Sequence, residues 1–213
     1  ERLAKDAGWG VEFVPTAFDG IIPGLLAGKF DVIITGMAQT QKRNLTVNFT
    51  IPYQHFISAI AANAKLIAGM TSYEDLNRPD VSIASRRGGF SKDILAAAFP
   101  KATFRWFDDD AQVFQEVING KAHVGFGPEP KPTFFVLQYG NILIQPEWSV
   151  GNSPVKSIPG AFAIRKGDYD FMNFLNNWIT QRQDDGWMKE RRNFWFASMG
   201  WFEDVEKNPY KLK

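Results

Sequence analysis

The feature of this sequence that most constrains its fold is the alternation of strand-like and helix-like segments near its start. Val11 to Val14 alternates as a strand does, and Ile21 to Ala27 has the character of a helix, with Pro23 in its first turn where proline is tolerated. Phe30 to Thr35 is a nearly continuous apolar run, which is typical of a strand buried on both faces. Elements that alternate in this way predict the α/β fold class.

A second stretch of the chain repeats this order of elements. Strands are predicted at three short apolar runs, Val81 to Ala84, Thr103 to Phe107 and His123 to Phe126. Helices are predicted at Lys92 to Phe99, from the acidic run Asp108–Asp110 to Asn119, and at Thr133 to Gln138. The proline-rich segment 127–132 is predicted to break regular structure.

The last part of the chain is predicted to contain one more strand followed by helices. The strand is expected at Gly160 to Arg165, and Tyr169 to Gln183 has aromatic and aliphatic residues at helical spacing. Aromatic residues then crowd the C-terminal region, at Trp187, Phe194, Trp195 and Trp201. The polar end of the chain, residues 203–213, is expected to be loosely ordered.

The overall composition argues against several classes of function. The 213 residues carry a net charge of +1, and the short basic clusters at Arg86–Arg87 and Lys189–Arg192 are not interleaved with aromatic residues as in nucleic-acid binders. The sequence has no cysteine, which excludes disulfides, thiolate metal sites and cysteine nucleophiles. No apolar run approaches the roughly 20 residues that span a bilayer. We therefore predict no cofactor, no metal and no nucleic-acid partner.

The segment from Val32 to Tyr53 makes the interpretation specific. Its sequence, VIITGMAQTQKRNLTVNFTIPY, resembles the signature of the type II periplasmic solute-binding proteins of family 3, which serve polar amino acid ABC transporters. Other segments resemble landmarks of that family in the family's own order: FDGIIPGLLAGKFD upstream, then SYEDLNRPDVSIASRRGG, FQEVINGKAHVGFG, GAFAIRKGD and DGWMKERRNFWF. The resemblance covers almost the whole chain, and its strength lies in the order and spacing of these segments.

The resemblance implies a periplasmic-binding-protein-like II fold, in which two α/β lobes have a ligand cleft between them. Lobe 1 is expected to comprise residues 1–59 and, after the chain returns, residues 159–213 with the C-terminal helices. Lobe 2 is expected to comprise residues 60–158. Members of the family begin with a strand before the helix that ends here near Gly8, so we expect an N-terminal strand and a ligand-contacting segment to precede Glu1.

The function implied by the resemblance is capture of a small carboxylate-bearing solute, an amino acid or an amino-acid-like compound, between the two lobes. The solute would be delivered to an ABC permease in the membrane by a monomeric, periplasmic protein that is not an enzyme. Two alternatives stay open, a cyclohexadienyl-dehydratase-like lyase and the sensor domain of a larger receptor. For the lyase, the resemblance places a glutamate general acid at the position of Lys92, and lysine donates a proton readily only if burial strongly lowers its pKa.

The resemblance carries over a set of ligand-binding residues in lobe 1. The arginine of the family's T-x-x-R pattern, here Thr40 and Arg43, holds the ligand carboxylate, and a planar guanidinium fork fits a carboxylate with two hydrogen bonds. Backbone groups at the end of the preceding strand are expected to contribute as well, at Thr35, Gly36 and Ala38, the last standing where the family commonly has a hydroxyl residue. Phe18 and Tyr53 stand at positions where the family has aromatic residues that contact the ligand. The alternative interpretation of each is a core residue.

Lobe 2 is expected to contribute a strand-to-helix turn, because free amides at a helix N-terminus bind anions. The residues concerned are Gly89, Phe90 and Ser91, with Arg87 adding positive charge or simply facing solvent. The main departure from the family is Pro128, which stands where an aspartate usually takes the ammonium group of the ligand. Glu129 is adjacent and is the candidate to replace that aspartate. The departure leaves open a solute that has a carboxylate but no free ammonium group.

Overall fold

Two β-sheets organise the chain, which a computed structural model describes over residues 1–155 and 157–197. One compact unit comprises Glu1–Gln54 and Pro159–Arg191, and the second comprises His55–Ile158 with the described residues that follow Arg191. The α/β class predicted from the sequence is confirmed. Trp201 and the polar tail at 203–213 lie outside the described residues.

The first unit combines short helices with a four-stranded sheet. Its helices are α1 (Arg2–Ala7), α2 (Ile21–Leu26), α3 (Gln41–Asn44), α7 (Tyr169–Asp184) and α8 (Trp187–Arg192), with a 3-10 helix at Phe18–Gly20. Its strands are β1 (Ile33–Ala38), β2 (Asn48–Phe49), β3 (Gln54–Phe56) and β9 (Ile158–Ile164). The sheet has the order β1-β9-β2, and β3 also pairs with β9.

Strand β9 is the centre of this sheet and pairs antiparallel with β1 and β2. The register sets Ile33 opposite Ala163 and Ala38 opposite Gly160, with a bulge between Ile33 and Met37. Gly36 lies in the bulge and has a φ of 70°, a left-handed conformation that favours glycine. The bulge therefore explains why a glycine interrupts the apolar run.

Two sequence predictions for the first unit are wrong. Residues 11–14 form no strand, and Phe13 is 68% exposed, because alternation produces a strand only where a neighbouring strand supplies hydrogen-bond partners. The apolar run that becomes β1 is not buried on both faces either, since Ile34 is 46% exposed. Local sequence pattern does not reveal whether a neighbouring element covers a given face.

The core of the first unit consists of two hydrophobic clusters, and a helix packs in each of them. Leu25 of α2 packs with Met37 and Val47, whereas Leu175 and Ile179 of α7 pack in a second cluster that includes residues of β9. The N-terminal helix is attached to α7 by the Trp178 indole, which donates a 2.9 Å hydrogen bond to Asp6. This bond, together with Arg2, holds the pKa of the Asp6 carboxyl below its usual value.

The second unit contains a five-stranded mixed sheet with the order β6-β5-β7-β4-β8. The strands are β4 (Ser58–Asn63), β5 (Ser82–Arg86), β6 (Thr103–Phe107), β7 (Val124–Pro128) and β8 (Leu143–Ile144). Helices α4 (Ser91–Ala98), α5 (Asp110–Ile118) and α6 (Lys131–Gln138) follow β5, β6 and β7 in turn. Because β5, β6 and β7 are parallel, their carboxyl ends meet at one edge of the sheet.

The packing of α5 against this sheet requires glycine on β7. A Cβ at Gly125 would lie 3.0 Å from the ring of Phe114 and 3.2 Å from Val113, and a Cβ at Gly127 would lie 3.3 Å from the same ring. Phe114 and Val113 are fully buried on α5. The two glycines of the sequence GFG are therefore a packing feature. The prediction that residues 127–132 break regular structure is wrong at both ends of that segment, since β7 runs to Pro128 and α6 begins at Lys131.

We predict that Gly125→Ala destabilises the second unit by about 1–3 kcal/mol, because the new methyl group overpacks a core that has no space for it. Urea unfolding followed by circular dichroism measures the effect. The control is Gly10→Ala, since a Cβ there meets no atom within 4 Å. Equal unfolding midpoints for the two variants would contradict the packing argument.

Candidate functional site

The T-x-x-R segment of the first unit forms the start of α3, directly after β1. Thr40 is the N-cap residue, and its hydroxyl oxygen accepts a 3.2 Å hydrogen bond from the backbone N–H of Arg43. The Arg43 guanidinium turns back toward β1 and donates from Nη1 to the carbonyl oxygen of Ala38 at 2.8 Å. The capping residue and the strand end together fix where this cation lies.

An aromatic ring accompanies the cation. The guanidinium carbon of Arg43 lies 5.6 Å from the centroid of the Phe18 ring, a distance at which a cation–π interaction is favourable. The structure thus brings together Arg43, Ala38 and Phe18, three of the residues that the sequence singled out. Thr35 is exposed on β1, next to the bulge.

Tyr53 is tied to the same bulge by its hydroxyl group. That hydroxyl makes a hydrogen bond with the backbone of Gly36 and accepts one from Nε2 of Gln54 at 3.2 Å. The ring packs on Phe162, with 5.0 Å between the ring centroids. Burial raises the pKa of Tyr53 to about 12, so the phenol stays neutral in ordinary conditions. Tyr53 therefore helps to hold the backbone of the bulge in place, and it is also a candidate for contact with a ligand.

In the second unit, the predicted turn joins β5 to α4. Gly88 has a φ of 70°, and a Cβ on Gly89 would lie only 3.1 Å from the carbonyl oxygen of Arg86. Ser91 is the first residue of α4, and its hydroxyl lies 3.3 Å from that of the buried Ser85. Phe90, the N-cap residue, packs against the hydrophobic core of the second unit. The turn keeps Gly89 and Ser91 together, whereas Phe90 takes part in packing.

The two arginines before this turn point to different partners. Arg87 donates from Nη2 to the carbonyl of Trp106 at 3.0 Å and lies 3.3 Å from the carboxylate of Asp108. Arg86 donates from Nη1 to Oδ2 of Asp110 at 3.1 Å. Arg87 is therefore engaged with the end of β6, and Arg86 with the start of α5.

Glu129 follows the end of β7 and is held by neutral donors. Its carboxylate accepts hydrogen bonds from the hydroxyl of Thr133 at 2.9 Å and from Nε2 of Gln145 at 3.3 Å. Its backbone N–H donates to the carbonyl of Ile57 at 2.8 Å. No Lys or Arg in the described ranges forms an ion pair with this carboxylate. Glu129 is thus a fixed, half-buried negative charge without a cationic partner among those residues.

Sequence reasoning missed two residues at the same edge of the sheet. In the acidic run, Asp109 is the helix cap, and its side chain accepts a 2.8 Å hydrogen bond from the backbone N–H of Gln112. The next residue, Asp110, is instead buried and binds both Arg86 and Lys131 through Oδ2. The sequence feature that could have identified these two residues is their position. Each is the first residue of a helix that follows a parallel strand.

Lys92, which was considered as a general acid, and His123, one of the two histidines of the chain, make other contacts. The ammonium of Lys92 lies 5.8 Å from the centroid of the Trp106 ring. His123 accepts a hydrogen bond at Nδ1 from the backbone N–H of Ser82 at 3.1 Å, and burial lowers its pKa. In residues 1–155 and 157–197, no group of three or more acidic, histidine or cysteine side chains is placed to bind a metal. Within the same ranges no helix has both the length and the apolar character to cross a bilayer.

Comparisons with known proteins identify the family and the fold of the chain. The family model for bacterial extracellular solute-binding proteins, family 3, matches residues 1–198. A protein assigned as the binding component of an ABC transporter from Wolinella succinogenes, solved in complex with lysine, is 35% identical with a TM-score of 0.84, over 95% of this chain and 85% of that one. The ancestral amino-acid-binding protein AncCDT-1, described as a precursor of cyclohexadienyl dehydratase, is 37% identical with a TM-score of 0.80, over 92% and 81%.

An enzyme also stands among the relatives. The cyclohexadienyl dehydratase of Pseudomonas aeruginosa is 20% identical over 92% of this chain and 71% of the enzyme. The family predicted from Val32 to Tyr53 is nevertheless confirmed, since the family model spans nearly the whole chain. The chain belongs to the bacterial extracellular solute-binding proteins of family 3.

Proposed function

We propose that this protein captures an amino acid, or a closely related carboxylate-bearing solute, in the periplasm and delivers it to an ABC permease. The observation that carries the proposal is the placement of Arg43, whose guanidinium is fixed beside the end of β1 by its hydrogen bond to Ala38. A fixed guanidinium at the end of a strand is suited to hold the carboxylate of a solute.

The strength of such a contact is sufficient for capture. Each charge-assisted hydrogen bond contributes about 1.5–3 kcal/mol net. A ligand that binds with micromolar affinity needs about 8 kcal/mol in total. Two bonds from the Arg43 fork therefore supply a large share, and the backbone groups of Thr35, Gly36 and Ala38 supply further contacts in this proposal. The Phe18 ring, next to the guanidinium, provides an apolar surface for the rest of the solute.

Glu129 supplies the acid that Pro128 lacks. Its carboxylate is held in place by the hydroxyl of Thr133 and the amide of Gln145, neither of which neutralises its charge. An ammonium group would provide that neutralisation and would form charge-assisted hydrogen bonds. In this proposal the ammonium of an amino acid binds the Glu129 carboxylate. The turn residues Gly89 and Ser91 lie at the same edge of the sheet as Glu129, because β5 and β7 are parallel.

A second candidate function is a lyase, favoured by the relationship to a cyclohexadienyl dehydratase. Lys92, at the position assigned to the general acid, is exposed and lies near the face of Trp106. This placement supports binding without catalysis, and incubation with prephenate or arogenate followed by product absorbance tests the alternative.

We predict that Arg43→Ala weakens binding about 100-fold or more, because two charge-assisted hydrogen bonds are lost. A thermal-shift screen with the twenty protein amino acids selects the ligand, and calorimetric titration measures its affinity. The α-amide of the same amino acid, which has no α-carboxylate, should respond little to the substitution. Lys29→Ala removes an equal charge from an exposed position of the first unit and serves as the control. An affinity unchanged by Arg43→Ala would contradict the proposal.

We predict that Glu129→Gln weakens binding of an amino acid about 10-fold or more, because the ammonium group loses its ionic partner while the side-chain shape is kept. Glu147→Gln, at an exposed position of the same unit, is the matched control. The N-acetyl derivative of the ligand carries no ammonium group and should bind both variants alike. If Glu129→Gln affects the amino acid and its N-acetyl derivative equally, the assignment of the ammonium group is wrong.

A further inference from the structure

The side chain of Glu129 is held by two neutral donors that come from different elements of the second unit. Thr133 belongs to the first turn of α6, and Gln145 follows β8. The backbone of Glu129 is fixed as well, since its N–H donates to the carbonyl of Ile57 at 2.8 Å. The proposed function uses the negative charge of this carboxylate but not the geometry of the bonds that hold it. That geometry restricts which donors the carboxylate can still accept.

The hydroxyl of Thr133 lies between the two carboxylate oxygens of Glu129. Its Oγ1 is 3.0 Å from Oε1 and 2.9 Å from Oε2, so that one O–H group is shared by both oxygens. The side-chain amide of Gln145 is a second donor, with 3.3 Å between its Nε2 and Oε1. The hydroxyl therefore occupies the fork of the carboxylate, which is the place where a bidentate partner donates to both oxygens at once.

The acceptor positions of this carboxylate define what a solute can donate to it. A carboxylate has about four lone-pair positions, two on each oxygen. Thr133 takes one position on each oxygen, and Gln145 takes the second position of Oε1. Among the described residues, this leaves the outer position of Oε2 open. One N–H donor of an ammonium group fits there, whereas the planar fork of a guanidinium needs one position on each oxygen.

We infer that Thr133 is a specificity-determining residue, which positions the Glu129 carboxylate for a primary ammonium group and closes its fork to a guanidinium. This inference rests on the proposed function, in which Glu129 binds the ammonium of an amino acid. A hydroxyl suits both tasks, because it orients the carboxylate without cancelling its charge. Without that hydroxyl, the Glu129 side chain must be ordered when the solute binds, which weakens affinity, and both oxygens become available to a bidentate donor.

The test compares an amino acid with its α-guanidino derivative, in which a guanidinium replaces the α-ammonium group. The amino acid is the one that gives the largest thermal shift among the twenty protein amino acids, and both solutes are titrated into the full chain by calorimetry. Thr133→Val removes the hydroxyl and keeps the shape of the side chain. We expect it to weaken binding of the amino acid about 3- to 10-fold. The affinity for the guanidino derivative, relative to the amino acid, should rise about 10-fold or more, since a second charge-assisted bond becomes possible.

Further variants separate this role from a structural one. Thr133→Ser keeps the hydroxyl and should keep the wild-type ratio of the two affinities, and Thr103→Val, at an exposed position of the same unit, should change neither affinity. When Glu129→Gln is already present, Thr133→Val should cause no further loss for the amino acid, because the hydroxyl acts through that carboxylate. A general loss of structure would instead weaken binding in both backgrounds. Circular dichroism shows whether Thr133→Val is folded, and if it is not, Thr133→Ala is measured in its place.

Several results would overturn the inference. An affinity for the amino acid that Thr133→Val leaves unchanged, a ratio of the two affinities that is the same with and without the hydroxyl, or a guanidino derivative that neither protein binds each excludes the role assigned to Thr133. The proposed function fails by a different result, namely absence of binding across the twenty amino acids or insensitivity to Arg43→Ala, and this inference then fails with it. A protein whose binding of an amino acid depends on Arg43 and Glu129 but not on Thr133 would keep the proposed function and lose this inference.

Discussion

The first unit depends on the pairing of β9 with strands from a distant part of the sequence. β9 lies between β1 and β2, and the short helix with Arg43 connects those two strands. Backbone hydrogen bonds hold this connection at both ends. The N–H of Gln39 donates to the carbonyl of Pro159 at 2.8 Å, and the N–H of Thr50 donates to the carbonyl of Phe162 at 3.0 Å. The position of the guanidinium therefore follows from sheet pairing, and its orientation follows from the bond to Ala38.

The second unit depends on a different constraint, the parallel arrangement of β5, β6 and β7. Parallel strands bring their carboxyl ends to one edge, so residues far apart in sequence, such as Arg86, Asp110 and Lys131, become neighbours there. A buried carboxylate such as that of Asp110 is costly without a cationic partner, which keeps the two cations in place. The same edge carries Glu129, whose carboxylate accepts hydrogen bonds from Thr133 and Gln145.

Binding proteins and a dehydratase share this scaffold, and the fold alone does not separate the two functions. The distinction depends on particular side chains. The Glu129 carboxylate accepts a hydrogen bond from the Thr133 hydroxyl, whereas Lys92 is exposed near the Trp106 ring.

The sequence by itself determined the family, the α/β class and the local structure around Arg43, because these depend on residues close together in the chain. The Thr40 cap, the Asp109 cap and the strand at Thr103 to Phe107 are all set by neighbouring residues. Only the tertiary structure decided that residues 11–14 form no strand, that Phe90 packs against the core of the second unit and that Asp110 forms ion pairs with two cations. The reason is physical: a cap forms within one turn of helix, whereas strand pairing, burial and ion clusters depend on what the rest of the chain brings alongside.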